Sequence, residues 1–237
     1  MITRREFIVG TGIAGMAALA GSALSGCAES RASTSAASTS TTSTTSISDS
    51  ASSANASSAS APASSEAVQA DAIVIYFSRA GENYGVGVIE EGNTAILAKM
   101  IADKTGADIF EIEPAEAYPQ SYDECCDVAL AEQEAGERPA YVGDIDISNY
   151  TTVYLGYPIW WGDLPMCVYT FLEAHEWAGK EIHPFCTHAG SGLSGTPAKI
   201  EQTCAGATVA EALSMEGVTA QNSRDEAEAE VASWLGL

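Results

Sequence analysis

Three segments rich in small and hydroxyl-bearing residues have the composition of ligand-binding loops. They are Ser78-Arg79-Ala80-Gly81, Gly92-Asn93-Thr94 and Thr187-His188-Ala189-Gly190-Ser191-Gly192. Backbone N–H groups at a helix N-terminus bind an anion with little basic charge, and glycine lets the backbone approach a ligand closely. The first two segments therefore predict a site for a phosphate monoester.

A fourth segment, Tyr157-Pro158-Ile159-Trp160-Trp161-Gly162-Asp163, places two adjacent tryptophans in an expected loop. Large aromatic side chains usually pack in the core. A flat π surface for a ring-shaped ligand accounts for their position.

Two enzyme motifs are matched only in part. The segment Gly190-x-Gly192-x-x-Gly195, followed by Glu211, fits a dinucleotide fingerprint. Only 26 residues follow Glu211, which is too few for the remaining crossovers of that fold. Residues 192–196 lack the final glycine of a Gly-x-Ser-x-Gly hydrolase motif. Neither dinucleotide binding at this segment nor serine hydrolysis is favoured.

Histidine and cysteine spacing predicts no metal site, because His175, His183 and His188 fall on different predicted elements. Five cysteines lie beyond residue 71, an odd number that cannot all form disulfides. The adjacent Cys125 and Cys126 point apart on a predicted helix, which favours a packing role. A redox role for this pair stays open.

The loops must be positioned by alternating strands and helices. Short apolar runs predict strands over 72–77, 109–112, 152–157, 182–187 and 208–213. Helices are predicted from an Asn93 or Thr94 cap to Gly106, and over 123–135, 165–174, 198–203 and 224–235. Five interleaved strands predict a doubly wound α/β sheet, whose ligands bind beyond the carboxyl ends of the strands.

From about Ile73 to Gly217 the chain resembles a flavodoxin whose phosphate loop is split by an insert. The motifs that carry the resemblance are Tyr76-Phe77-Ser78-Arg79, Glu91-Gly92-Asn93-Thr94, Leu155-Gly156-Tyr157-Pro158 with Trp160-Trp161-Gly162, and Pro184-Phe185-Cys186-Thr187-His188 with Gly190-Ser191-Gly192. The resemblance implies a five-stranded parallel sheet in the order 2-1-3-4-5, as in flavodoxin itself.

The resemblance also implies FMN as the cofactor. Its phosphate would be held by Ser78, Asn93 and Thr94, with main-chain contacts from Arg79 and Ala80. Its ring system would lie between two loops, one contributing Pro158, Ile159, Trp160, Trp161 and Gly162 and the other Thr187, His188, Gly190, Ser191 and Gly192. The insert Glu82 to Glu91 departs from a compact flavodoxin, and its terminal acids, Glu90 and Glu91, must point away from a phosphate.

We expect a low-potential FMN electron carrier, because the cofactor carries the redox chemistry and nearby acidic charges disfavour a reduced anion. No catalytic acid or base is needed. Two alternatives stay open: an FMN-dependent reductase acting on a quinone or nicotinamide, and a flavin-free binding protein that uses the same cleft.

The charge balance is strongly acidic, with 10 Lys and Arg against 32 Asp and Glu and a net charge of −22. Nucleic-acid binding is excluded as a function class, because it relies on basic side chains to neutralise phosphates. An acidic protein attracts a redox partner with a basic face, and salt weakens that attraction.

The N-terminal residues 1–27 resemble a twin-arginine export signal ending in a lipobox. Arg4 and Arg5 precede a weakly apolar run, and Leu24-Ser25-Gly26-Cys27 predicts lipidation of Cys27. The expected location is the outer face of a bacterial cytoplasmic membrane, with the lipid as the only membrane contact. The alternative is a retained transmembrane helix.

Residues 28–70 contain 22 Ser or Thr and 12 Ala and almost no large apolar side chains. Such a composition cannot bury enough surface to offset its chain entropy. It predicts a disordered, flexible tether between the lipid anchor and a folded domain over 71–237.

Overall fold

The computed structural model describes residues 71–237. The predicted signal with Cys27 and the predicted tether over 28–70 lie outside these described residues. Among the helices that the structure does describe, none combines the length and apolar character needed to cross a bilayer.

The described chain alternates short strands and helices. In chain order the strands are β1 Ala72–Tyr76, β2 Gly81–Asn83, β3 Gly87–Ile89, β4 Asp108–Glu111, β5 Glu113–Pro114, β6 Tyr141–Val142, β7 Thr152–Pro158, β8 Glu181–His188, β9 Thr208–Val209 and β10 Leu213–Glu216. The helices are α1 Asn93–Thr105, α2 Tyr122–Ala135, α3 Met166–Ala174, α4 Thr196–Thr203, α5 Gly217–Asn222 and α6 Arg224–Leu235.

A central parallel sheet has the order β10-β8-β7-β1-β4, and β9 pairs with the start of β8. In order of the five main strands this is 2-1-3-4-5, so the predicted doubly wound fold is confirmed. All of these pairs are parallel. Their carboxyl ends share one edge of the sheet, so the segments after β1, β7 and β8 meet there.

Strand β1 shows why both faces of the sheet must be covered. Ile73, Val74 and Ile75 are all fully buried, which is the continuous apolar pattern of a parallel strand with helices on both sides. Ile73 and Ile75 join a cluster with residues of α3, whereas Val74 joins a cluster with residues of α1 and α6.

The prediction of one strand over 208–213 is wrong in its bounds. Strand β9 ends at Val209, and β10 begins only at Leu213. Leu213 and Met215 are buried whereas Ser214 and Glu216 are less so, which is the period-two alternation that marks the real strand. Between the two strands, the Glu211 carbonyl accepts a hydrogen bond from Trp234 of α6 at 2.9 Å.

The insert between β1 and α1 contains an antiparallel hairpin that was not predicted. Strands β2 and β3 pair Gly81 with Ile89 and Asn83 with Gly87. Gly85 and Gly87 have positive φ angles of 75° and 74°, a conformation that glycine adopts readily. Helix α5 and the short β5–β6 pair were also not predicted.

Candidate functional site

A cleft of about 640 Å³ lies at the carboxyl edge of the sheet. It is lined by the segment after β1, the starts of α1 and α2, the segment after β7, the end of β8 and the start of α5. Its volume falls in the range of roughly 300–1,000 Å³ that suits a cofactor-sized ligand.

Five backbone N–H groups on or next to residues that line this cleft have no hydrogen-bond acceptor within residues 71–237. We call them the N–H cradle, and they belong to Ser78, Arg79, Ala80, Asn93 and Thr94. Helix N-termini leave such donors free, and converging N–H groups bind anions. This arrangement suits the phosphate group predicted from the sequence.

The first turn of α1 is capped by a side chain from the segment after β1. The Ala95 N–H donates to Ser78 Oγ at 3.0 Å. The expected cap at Asn93 or Thr94 is therefore wrong, because the N-cap position is Gly92, which has no side chain to offer.

Gly92 is needed for space rather than for conformation, since its φ is an ordinary −67°. A Cβ at this position would lie 2.2 Å from Ser78 Oγ and 2.6 Å from the Arg79 carbonyl oxygen. Any side chain here would push apart the two segments that form the N–H cradle.

The Arg79 side chain turns away from the N–H cradle. Its guanidinium donates to the carbonyl oxygens of Pro119 at 2.6 and 3.0 Å, Gln120 at 2.8 Å and Glu82 at 2.7 Å. Glu82 in turn accepts from the Tyr122 N–H at 3.1 Å, which caps α2. Arg79 thus fixes the loop before α2 and leaves only its main chain for a ligand.

Asn93 places an unpaired acceptor at the cleft. Its Oδ1 is buried without a hydrogen-bond partner among the described residues, and the residue lines the cleft. A buried unpaired amide oxygen is costly unless a ligand satisfies it. Gly217 packs so closely that a Cβ there would lie 2.2 Å from Asn93 Nδ2.

Thr94 and Thr187 join α1 to the end of β8. Their hydroxyl oxygens are 2.8 Å apart, and the two residues are 1% and 3% exposed. The sequence assigned Thr94 to a phosphate and Thr187 to a ring. In the structure the two hydroxyl groups bind each other, and the backbone N–H of Thr94 belongs to the N–H cradle.

The two tryptophans form a tight turn. Trp160 and Asp163 exchange backbone hydrogen bonds of 2.9 Å, while Trp161 and Gly162 have positive φ angles of 50° and 73°. Positive φ at both central positions is typical of a type I′ turn. For a tryptophan this conformation costs roughly 1–2 kcal/mol, a strain that often marks a functional site.

The two indole rings have different surroundings. Trp161 is 54% exposed, and its Nε1 donates to the Cys126 carbonyl at 2.9 Å. The Trp160 ring contacts Phe77 and Tyr118 edge-on, with centroid distances of 5.3 and 4.9 Å. Trp161 is therefore a free aromatic face, whereas Trp160 also belongs to the core.

Exposed apolar side chains surround the mouth of the cleft. We call Tyr84, Tyr122, Trp161 and Val218 the aromatic rim; they are 65%, 37%, 54% and 41% exposed, and all line the cleft. The Tyr84 and Tyr122 rings lie 6.0 Å apart. Burial and a hydrogen bond with Cys126 raise the pKa of Tyr122 to about 12. Tyr84, Tyr122 and Val218 were not predicted from the sequence as site residues. The aromatic Tyr84 within the insert was a signal that could have indicated the first of them.

The predicted site residues divide into two groups. Those that line the cleft are Arg79, Asn93, Pro158, Ile159, Trp160, Trp161, Thr187 and His188. Those outside its lining are Ser78, Ala80, Thr94, Gly162, Gly190, Ser191 and Gly192. Ser78, Ala80 and Thr94 still contribute to the N–H cradle, whereas Ser191 is exposed.

His188 is oriented by the loop that follows it. Its Nδ1 accepts a hydrogen bond from the Gly190 N–H at 3.0 Å. Burial lowers the pKa of His188, and the nearby Glu216 carboxylate acts in the opposite direction.

The acids of the insert are placed away from the N–H cradle. Glu91 pairs with Lys99 at 2.6 Å and Arg224 at 3.4 Å. The hydrogen bond from Lys99 lowers the pKa of Glu91. Glu90 is exposed. Glu91 is therefore engaged by basic side chains and Glu90 faces solvent, as the expectation that both acids point away from a phosphate requires.

The cysteines of the described chain are free thiols. Cys125 and Cys126 both line the cleft, and burial raises the pKa of the Cys125 thiol to about 11. Within residues 71–237 no three His, Cys, Asp or Glu side chains converge as metal ligands.

A family model described as flavodoxin matches residues 72–234. Among curated proteins, none matches the chain.

Solved structures share the fold. A Bacteroides eggerthii protein named as a flavoprotein is 26% identical, with 70% of this chain and 95% of that chain covered and a TM-score of 0.56. A Bacteroides uniformis protein named in the same way is 25% identical, with 70% and 97% covered and a TM-score of 0.53. A Lactobacillus acidophilus flavoprotein solved in complex with FMN is 19% identical, with 69% and 97% covered and a TM-score of 0.50.

Proposed function

The chain belongs to the flavodoxin family, and on that premise we propose that it binds FMN in the cleft and carries electrons. The N–H cradle is the observation that carries the proposal. Five free N–H donors and no available cation suit a phosphate monoester at the end of a larger ligand. The family match and the FMN complex of the Lactobacillus neighbour support FMN as that ligand.

The residues present fit FMN at both ends of the cleft. The N–H cradle would hold the phosphate, and the unpaired amide of Asn93 would meet the polar chain that follows. The exposed face of Trp161 would cover the ring system. When bound, FMN supplies one- and two-electron redox chemistry. The protein binds, orients and partly shields it.

An electron carrier is supported by the charge of the described domain. It holds 7 Lys and Arg against 28 Asp and Glu, and Asp123, Asp127 and Glu216 line the cleft itself. Such a surface favours fast, salt-sensitive association with a basic face on a redox partner. We propose that partner class for this protein.

The aromatic rim favours a second candidate function, an FMN-dependent reductase. Its exposed rings would accept a planar aromatic substrate such as a quinone. Arg79 is the one lysine or arginine in the lining of the described cleft, and carbonyl oxygens already occupy its guanidinium. The diphosphate of a nicotinamide dinucleotide would find no free cation here.

Titration of the full-length protein with FMN tests the function. We expect one FMN per chain, with a visible flavin spectrum and quenched flavin fluorescence. Slow electron transfer from reduced nicotinamides to bound FMN, and from reduced bound FMN to quinones, would support a carrier, whereas rapid transfer of two electrons from reduced bound FMN to a quinone would support the reductase. A protein that binds no FMN would overturn both and leave a flavin-free binding protein.

We further propose that the protein is an exported lipoprotein held at the outer face of a bacterial cytoplasmic membrane. The proposal rests on the twin arginines and on Leu24-Ser25-Gly26-Cys27. A Cys27→Ser variant should leave the membrane fraction after a high-salt wash. Retention of that variant in the membrane would instead favour a transmembrane helix.

A further inference from the structure

His188 stands apart from the other histidines of this chain. It is the last residue of β8 and lines the cleft, opposite Glu216 in the register with β10. By contrast, both ring nitrogens of His175 contact backbone carbonyl oxygens, those of Phe171 and Ile145. His183 does not line the cleft.

The hydrogen bond from Gly190 fixes the tautomer of His188. An N–H donor at 3.0 Å requires an unprotonated Nδ1. The neutral ring must then carry its proton on Nε2. Within residues 71–237, Nε2 has no hydrogen-bond partner. His188 therefore presents one unpaired N–H donor at the edge of the cleft.

The loop is shaped to keep that donor in place. Gly190 has a φ of 100°, which residues with a Cβ rarely adopt, and a Cβ there would meet no atom within 4 Å. The glycine thus serves the backbone conformation, which turns its N–H back toward the imidazole. The loop therefore helps to set the orientation of the ring.

Few charged groups face this imidazole. Burial lowers the pKa of the ring, and the Glu216 carboxylate raises it. After β7 the neighbouring residues are Pro158 and Ile159, and α5 begins with Gly217 and Val218. None of these four side chains carries charge, so burial and the Glu216 carboxylate are the two influences on the pKa of His188.

We propose that His188 donates a hydrogen bond from Nε2 to an acceptor atom of the ring system bound in the cleft, and so positions that ring and favours its more negatively charged state. This inference rests on the proposed function and deepens it. A preorganised donor stabilises charge that develops on a bound acceptor. No proton is transferred. The donor opposes the effect of the acidic surface on the redox potential.

Two variants separate the roles of the two ring nitrogens. His188→Asn keeps an acceptor near the Nδ1 position for the Gly190 N–H but removes the Nε2 donor. His188→Gln keeps a donor that reaches the Nε2 position but loses the Nδ1 acceptor. The matched control is His183→Gln, at a half-buried histidine outside the cleft.

The experiment measures FMN affinity and the potential of bound FMN in the full-length protein across pH. We expect His188→Asn to bind FMN about 3- to 10-fold more weakly and to have a more negative potential. His188→Gln should stay within about 3-fold of the parent. Acid that protonates Nδ1 breaks the hydrogen bond from Gly190, so the parent affinity should change with pH at that step, and neither variant should show that change.

The outcomes distinguish the two proposals. If the parent binds no FMN, the proposed function fails and this inference fails with it. If the parent binds FMN but His188→Asn matches it in affinity, potential and pH profile, only the role of His188 is overturned. Nitrogen NMR of the imidazole gives a further check without FMN, since a proton on Nδ1 at neutral pH would contradict the assigned tautomer.

Discussion

The two ends of the cleft are built in opposite ways. The N–H cradle is made of neutral backbone groups beside buried residues, with Gly92 leaving no room for a methyl group and Thr94 1% exposed. The aromatic rim is open, with Trp161 and Tyr84 more than half exposed and Trp161 in a strained conformation. The buried residues at the first end belong to the packed domain, whereas the residues of the aromatic rim stand in two turns and at the starts of α2 and α5.

This difference suggests separate roles for the two ends of the cleft in ligand binding. Gly92 and Thr94 at the N–H cradle are buried, so a change at either residue should cost both folding and binding. The side chains of the aromatic rim are exposed, so they can change with little cost in folding. Affinity for a common phosphate and selectivity for a ring or partner are thereby separated along one cleft.

The largest effect is expected from Gly92→Ala. Its methyl group would meet Ser78 Oγ and the Arg79 carbonyl, forcing the N–H cradle apart. We expect loss of about 1–3 kcal/mol of stability and at least about 100-fold weaker FMN binding, or about 2.7 kcal/mol. Urea unfolding measures the loss of stability, and FMN titration measures the loss of affinity. The double variant Gly92→Ala with Ser78→Ala should recover part of the loss; unchanged FMN affinity in the single variant would contradict a rigid N–H cradle.

Thr94→Val should have the next largest effect. The Thr187 hydroxyl, 3% exposed, would lose its partner, which costs about 1–3 kcal/mol of unfolding free energy. Replacing both residues, as Thr94→Val with Thr187→Val, should cost less than the single change because no buried hydroxyl is left unpaired. Equal losses in the single and double variants would show that the pair does not tie α1 to β8.

Trp161→Gly tests the rim. Glycine adopts the observed φ without strain, so relief of roughly 1–2 kcal/mol should offset the lost ring contacts and leave stability nearly unchanged. FMN affinity should fall about 10-fold, or about 1.4 kcal/mol. The control Trp161→Phe keeps an aromatic face and should retain most of the affinity. A large loss of stability in Trp161→Gly would contradict the view that this ring is a free aromatic face and would indicate a role in core packing.

Glu91→Gln should have the smallest effect, because its ion pairs are partly exposed, with 37% of the Glu91 side chain accessible. We expect a loss below about 1 kcal/mol at neutral pH. Since the pKa of Glu91 is lowered in the folded state, its contribution is present above the ordinary value of 4.5 and disappears as pH falls through the lowered value. The urea midpoints of the parent and of Glu91→Gln should therefore converge as the pH falls. A difference between the two midpoints that grows in acid would contradict a lowered pKa for Glu91.

The sequence supported the fold well because local patterns decide it. Apolar runs such as 72–77 and the Gly106 helix stop report on burial and backbone conformation directly. The sheet order followed from the family resemblance. The fifth strand was misplaced because β9 and β10 are only two and four residues long, and such short edge strands carry little periodic signal.

The site was less predictable because its contacts are long-range. Both Arg79 and Thr94 lie in the predicted loops, yet the guanidinium binds carbonyls about 40 positions away and the hydroxyl binds Thr187, 93 positions away. No local pattern encodes such partners. The hairpin β2–β3 and the placement of Tyr84 beside Tyr122 depend on the same kind of tertiary packing.

The contacts between α5 and the start of α1 also determine when the cleft can form during translation. Gln221 donates to the Glu91 carbonyl at 2.6 Å across 130 positions, and Gly217 packs against Asn93. At a translation rate of roughly 5–20 residues per second, the ribosome adds the second partner roughly 7–26 s after the first. A nascent chain that has completed α1 still lacks α5, whose Gly217 packs against Asn93. The site for FMN is therefore complete only after α5 has been synthesised.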